Sequence, residues 1–98
     1  MKRVRFLSAA REEFLAEVAY YSEAQQGLGT QFALAVEEAT IRALAFPLAG
    51  SPSAAKSRHV NVRRFPFSIF YRVEADGIVI FAVAHHARRP NYWHGRRV

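Results

Sequence analysis

The chain has 98 residues, 51% of them hydrophobic and 22% charged, with 14 Lys and Arg against 8 Asp and Glu for a net charge of +6 and a pI near 10.5. One domain over 1–98 is expected, large enough to bury roughly 60 to 65% of its unfolded surface, with a basic balance suited to polyanions or acidic protein partners. The absence of cysteine excludes disulfides, thiolate catalysis and cysteine-based zinc sites.

The N-terminus opens like an export signal with Lys2 and Arg3. Arg5, however, interrupts an apolar stretch shorter than the roughly 7 to 15 residues such a signal needs. With no run near the ~18 to 20 apolar residues of a membrane span, a cytoplasmic protein with no membrane association is expected. Val4 to Leu7 reads as a short strand, and Ser8 as the N-cap of a helix running to about Ala24. Its apolar stripe is Phe14, Val18 and Tyr21, flanked by Leu15, while Glu13, Glu17 and Glu23 are expected to face water. Gln25-Gln26-Gly27-Leu28-Gly29 breaks the helix. A second one is expected after Thr30, with Phe32, Val36, Ala39, Ala43 and Phe46 on one face, Leu34, Ile41 and Leu44 widening it, and Pro47 ending it. So short a link implies an antiparallel helix hairpin.

Leu48 to Ser57 is small and polar, and reads as a mobile loop. Three strands follow. In Arg58 to Arg64, Val60 and Val62 alternate with His59, Asn61 and Arg63. In Phe65 to Glu74 the inward row is Phe65, Phe67, Ile69, Tyr71 and Val73, and Pro66 belongs at a strand entry or an edge. Ile78 to Ala84 has no polar residue, which predicts a central strand covered on both faces. Glu74-Ala75-Asp76-Gly77 joins the last two as a hairpin. The predicted fold is α+β in the order βααβββ: an N-terminal strand, then an antiparallel helix hairpin packed on a small, mainly antiparallel sheet, with a basic C-terminal tail.

Four histidines raise a metal site, but His85 and His86 are adjacent and point to opposite sides of an extended chain, so no metal is expected. The glutamates sit on helix faces read as solvated. No phosphate loop, nucleotide fingerprint or serine elbow is present, and no cofactor is expected. The alternate aromatics of RFPFSIFY resemble an RNA-stacking strand, yet the glycines of that motif are missing, and a platform for the helices is the better reading. The tail differs. From His85 to Val98 it has no acidic residue and carries Arg88, Arg89, Arg96 and Arg97 with Tyr92 and Trp93, a mixture of planar cations and amphipathic rings enriched at binding hot spots. The competing reading is a solvated terminus with Trp93 folded back as a cap on the core.

Taken together, FLSAAREEFLAEVAYY, Phe46-Pro47 followed by Gly50, RRFPFSIFYRV and AVAHHARRPNYW in this order resemble the RelE/ParE superfamily of bacterial type II toxin–antitoxin toxins over nearly the whole chain. The resemblance implies a cognate antitoxin encoded next door, a hetero-oligomer with it, and a role of the plasmid-stabilisation kind. RelE-like members cut mRNA in the ribosome, which requires charge stabilisation and proton transfer. At their positions this chain has His59 and Asn61 for lysines and Ser68 and His86 for arginines, and retains Tyr92. The likeness is therefore closer to ParE, whose members inhibit DNA gyrase by binding. Target contact is expected from Arg88, Arg89, Tyr92, Trp93, Arg96 and Arg97, with a second basic patch at Arg58, Arg63 and Arg64, and antitoxin contact from Leu15, Tyr20, Leu34 and Ile41. The alternatives are a ribosome-dependent ribonuclease using His86, Arg88 and Tyr92, or a stand-alone nucleic-acid-binding module. On this reading, truncation after Ala87 removes toxicity without unfolding the sheet.

Overall fold

The computed structural model describes residues 2–98. Along the chain run β1 (Arg3–Phe6), α1 (Ser8–Ala24), α2 (Leu28–Ala45), β2 (Ser51–Pro52), β3 (Arg58–Val62), β4 (Phe67–Glu74) and β5 (Gly77–His85). The strands form one sheet in the order β1-β5-β4-β3-β2. Only β1 and β5 run parallel. The α+β architecture expected from the sequence is present, with one strand more than expected.

That extra strand lies in the segment read as a mobile loop. Ser51 and Pro52 pair with His59 and Arg58, Ser53 N–H donates to Ser57 O, and Arg72 Nε donates to Ala55 O. A short polar stretch gives no periodicity to read, and its order comes from partners supplied by β3 and β4.

Other corrections are local. Ser8 is the first helical residue rather than the cap, because Leu7 already donates its N–H to Ile80 O and accepts at its C=O from the Arg11 N–H, so strand passes into helix without a spare residue. The second helix begins at Leu28, not after Thr30. Gly29 in its first turn is where the hairpin closes, since a Cβ there would lie 2.6 Å from Val18 O and 1.9 Å from Ser22 Oγ. Phe46, expected on the buried face, is exposed: it caps the helix at φ −132°, ψ 66°, and its ring leaves the helical path. Val73 is exposed too, at the hairpin end of the sheet where α2 has already finished. At that hairpin Gly77 (φ +152°) meets β1 so closely that a Cβ would lie 1.8 Å from Arg3 O.

Each face of the sheet has its own apolar cluster. Under the helices Phe32, Val36, Ala39 and Ala43 pack on Val62, Phe67, Ile69, Tyr71, Ile78, Ile80 and Val83. The Phe32 ring lies 5.1 Å from those of Tyr21, Phe65 and Phe67. On the far face Val79, Phe81, Ala82 and Ala84 pack with Trp93. A register shift separates the two patterns: Phe70 pairs with Ala82 but Tyr71 with Ile80, leaving Phe81 without a cross-strand partner. Such a bulge puts Phe81 and Ala82 on the same face, which widens the apolar platform on the far side.

Candidate target-binding face

Beyond β5 the chain turns back across the far face of the sheet through a series of local turns. Arg88 N–H donates to His85 O, Tyr92 N–H to Arg89 O and Arg96 N–H to Trp93 O, while Asn91 takes φ +59°. Trp93 lands on the apolar platform with its ring 4.9 Å from Phe70 and 6.3 Å from Phe81, and is only 1% exposed. Burying a ring of this size fixes the tail to the body.

A second anchor is ionic. The Glu13 carboxylate, 16% exposed, accepts from the Tyr92 hydroxyl, from both Arg96 Nη atoms at 2.8 and 3.0 Å, and from Val83 N–H at 3.1 Å. Arg96 Nη1 also donates to Phe81 O at 2.9 Å. These bonds have a structural reason. The register of β1 against β5 ends at the Phe6–Ile80 pair, so the edge of β5 beyond it has no neighbouring strand, and Glu13 and Arg96 satisfy its backbone groups instead. The Tyr92 phenol is held well above its usual range, first by burial and then by its bond to Glu13 and that carboxylate's charge. Arg88 lies with its guanidinium 3.7 Å from the centre of the Tyr92 ring, and Arg96 at 5.2 Å.

Between sheet and tail is a cleft of about 290 Å³. Its floor carries Ser68, whose hydroxyl donates to Asn61 Oδ1 at 2.8 Å and lies 2.9 Å from His86 Nε2. Ser68 thus bridges Asn61 and His86 on the floor of the cleft. Beside them His59 lies over Phe70 at 5.2 Å, with Nδ1 2.6 Å from Ser53 Oγ, and its pKa is pushed down by burial and then by the charge of His86. Arg88, Arg89, Asn91 and Tyr92 form the tail side of the cleft. As expected, His85 and His86 diverge: His85 meets the Phe67 ring under the helices and His86 enters the cleft. Among the described residues no three His, Cys, Asp or Glu side chains gather as a metal site.

The six residues expected to contact a target thus separate. Arg88, Arg89 and Arg97 are exposed; Trp93 and Arg96 are committed to the fold, and Tyr92 links the two sets. The reading of Trp93 as a cap on the core fits its burial. The second basic patch also divides, because Arg58 donates to Gly50 O, whereas Arg63 pairs with Glu38 at 3.6 Å and Arg64 is exposed at φ +71°. Leu15, Tyr20, Leu34 and Ile41 are each more than half exposed. Leu34 and Ile41 share a groove of about 400 Å³ with Val4, Phe6 and Phe14, and Leu15 and Tyr20 lie outside it. Glu13, expected to face water, is the residue that the sequence reading missed. The one hint in the sequence is its place directly before Phe14, on the flank of the apolar stripe.

A helix hairpin on one face of a small mixed sheet, with an anchored basic tail across the other, is a fold shared with a solved structure described as the chromosomal ParDE TA system from P. aeruginosa. The likeness has a TM-score of 0.71 at 18% identity and covers 87% of this chain and 96% of that chain. No curated protein matches in sequence. Residues 4–90 match the family described as ParE toxin of type II toxin-antitoxin system, parDE. The chain belongs to this family of ParE toxins.

Proposed function

We propose that the protein is a cytoplasmic toxin that inhibits DNA gyrase by binding, and that it is neutralised in a hetero-oligomer with an antitoxin encoded beside it. The observation that carries the binding reading is the contrast within the tail. Its hydroxyl group, Tyr92, is bonded to Glu13 and poorly placed to give or take a proton, while Arg88 and Arg89 project from a segment anchored on both sides. Guanidinium groups held in this way suit bidentate recognition of carboxylate or phosphate. The same contrast argues against the ribonuclease alternative, which asks Tyr92 to join His86 and Arg88 in proton transfer.

For the antitoxin, the groove joining Leu34 and Ile41 of α2 to Val4 and Phe6 of edge strand β1 is suited to an amphipathic helix or an added strand. The test for the target is supercoiling by purified gyrase. The protein is expected to inhibit it, and replacing Arg88 and Arg89 together by alanine to weaken inhibition by about 2 to 4 kcal/mol, roughly 30- to 1,000-fold, if both are desolvated in the complex. Unchanged supercoiling and cleavage-complex levels with wild-type protein would overturn the gyrase reading. Codon-dependent mRNA cleavage by primer extension, lost in Tyr92→Phe, would replace it with the ribonuclease one.

A further inference from the structure

We propose that Glu13, on a helix far from the tail in sequence, is the positioning residue of the proposed target contact: through Tyr92 it sets where the Arg88 guanidinium stands. The inference rests on the binding role of Arg88 and Arg89 argued above, and extends it to a residue near the other end of the chain.

The geometry forms a chain of three links. Glu13 is carried by α1, whose N-terminal turns lie against β5, so its carboxylate is fixed by the body of the protein and not by the tail. Tyr92 donates its hydroxyl to that carboxylate and is half-buried, which fixes the ring in plane and rotation. Arg88 then rests on this ring at 3.7 Å, with Nη1 4.0 Å from Glu13 Oε2. Trp93 alone does not do this. It pins the chain one residue past Tyr92, and His86 is tied to the sheet by its N–H on Pro66 O, whereas residues 87–91 between these two points are exposed and joined by local turn bonds, so Arg88 takes its place from the ring beneath it.

The chemistry requires a carboxylate of this length. Its two oxygens take four donors: Val83 N–H and Arg96 Nη1 on Oε1, the Tyr92 hydroxyl and Arg96 Nη2 on Oε2. A glutamine has the same shape but puts an NH2 where one oxygen was, against groups that can only donate or are already donating. An aspartate is one methylene short of the tail. A contact held in advance loses less freedom on binding, so loosening Arg88 should weaken the complex with no change in the groups touching the target.

Glu13→Gln and Tyr92→Phe test this in the full chain. Two readouts are followed: inhibition of gyrase supercoiling, and the Arg88 Nε–H signal in NMR, which the Tyr92 ring current displaces in the wild type. Trp93 fluorescence reports whether the tail still packs. The expected result is at least 10-fold weaker inhibition in each variant, with Trp93 still buried and the Arg88 signal moved towards that of a free arginine. The double variant should be no worse than the weaker single one, because both cut the same chain of contacts. If Glu13→Gln fails to fold, Tyr92→Phe, which keeps the Glu13–Arg96 pair, decides the matter. An Arg88 signal unmoved in the folded variants, or inhibition unchanged while it moves, overturns the proposal. Loss of the binding reading is seen separately: inhibition unaffected by alanine at Arg88 and Arg89 sinks that reading, and the Arg88 signal in Glu13→Gln alone then decides whether Glu13 positions it.

Discussion

The two faces of the sheet are covered by different physics. Under the helices the contact is almost wholly apolar, a ring of aromatic side chains around Phe32 set into Val and Ile from the strands. Across the other face a single chain segment lies over Phe70, Phe81 and Ala82, held by one buried indole and one part-buried carboxylate. Apolar burial is non-directional and tolerates any sequence of suitable size, whereas a carboxylate taking several charged or polar donors fixes orientation. The first cover makes the fold. The second makes the fold and aims a set of guanidinium groups, which is why the functional proposal attaches to that side.

The comparison breaks most directly if the tail is removed. Stopping the chain after Ala87 deletes Trp93, Tyr92 and Arg96 together, uncovering Val79, Phe81 and Ala84 and stripping Glu13 of the side chains that pair with it. Since the total stability of a domain is of order 5 to 15 kcal/mol, the truncated chain is expected to lose cooperative unfolding altogether, as read by circular dichroism and urea titration. This replaces the sequence-based expectation that the sheet would survive. A cooperative transition near the wild-type midpoint would show that the tail is an accessory. A finer comparison sets Trp93→Ala against Phe32→Ala, one from each face, and each is expected to cost about 3 to 5 kcal/mol. A much smaller loss at Trp93 would mean that the far face needs no cover.

These expectations also explain what the sequence alone could and could not reveal. Continuous apolar Ile78–Ala84 announced a strand covered on both faces, and Asp76-Gly77 announced its hairpin, because both signals are local. The bulge at Phe81 was not legible, since it depends on the register between two strands. Nor was Glu13. Helical spacing placed it beside polar neighbours, and the groups that bury it, Tyr92 and Arg96, arrive from the other end of the chain. The reverse holds for the tail, where composition rightly marked the segment as unusual but could not divide its arginines: Arg88 and Arg96 are alike in sequence, yet one is exposed and the other spans Glu13 and the Phe81 carbonyl. Local patterns reported the elements, and long-range pairing decided which side chains remained available.

The helix-covered face offers its own binding test of smaller effect. Leu34 and Ile41 are exposed on the outer side of α2, so glutamate at both positions should change the stability of the free protein by less than about 0.5 kcal/mol per site. Binding should respond differently. If the antitoxin lays an apolar anchor in the groove they form with Val4 and Phe6, the double variant should weaken the complex by about 2 kcal/mol or more by calorimetry, while gyrase inhibition by the free toxin is retained. Equal affinity for both proteins would move the antitoxin contact elsewhere, with Leu15 and Tyr20 on α1 next to be changed.

The smallest effect separates the faces by their response to acid. His59 lies in the tail-side cleft against Phe70, with Ser53 on one ring nitrogen and His86 nearby, and burial followed by the charge of His86 pushes its pKa below the ordinary value. An unfolded chain takes up this proton near pH 6.5, and the folded chain only at lower pH. The unfolded state therefore binds more protons in the interval between the two values, and stability must rise with pH across it. The contribution of His59 is present in full above about pH 6.5, declines as the pH falls towards the folded value, and changes no further below it. Urea midpoints at pH 7.5 and pH 5.5 measure the loss. The informative quantity is the difference between the wild-type loss and that of His59→Gln. A smaller loss in the variant assigns part of the acid sensitivity to the tail-side cleft, and an equal loss in both places it elsewhere.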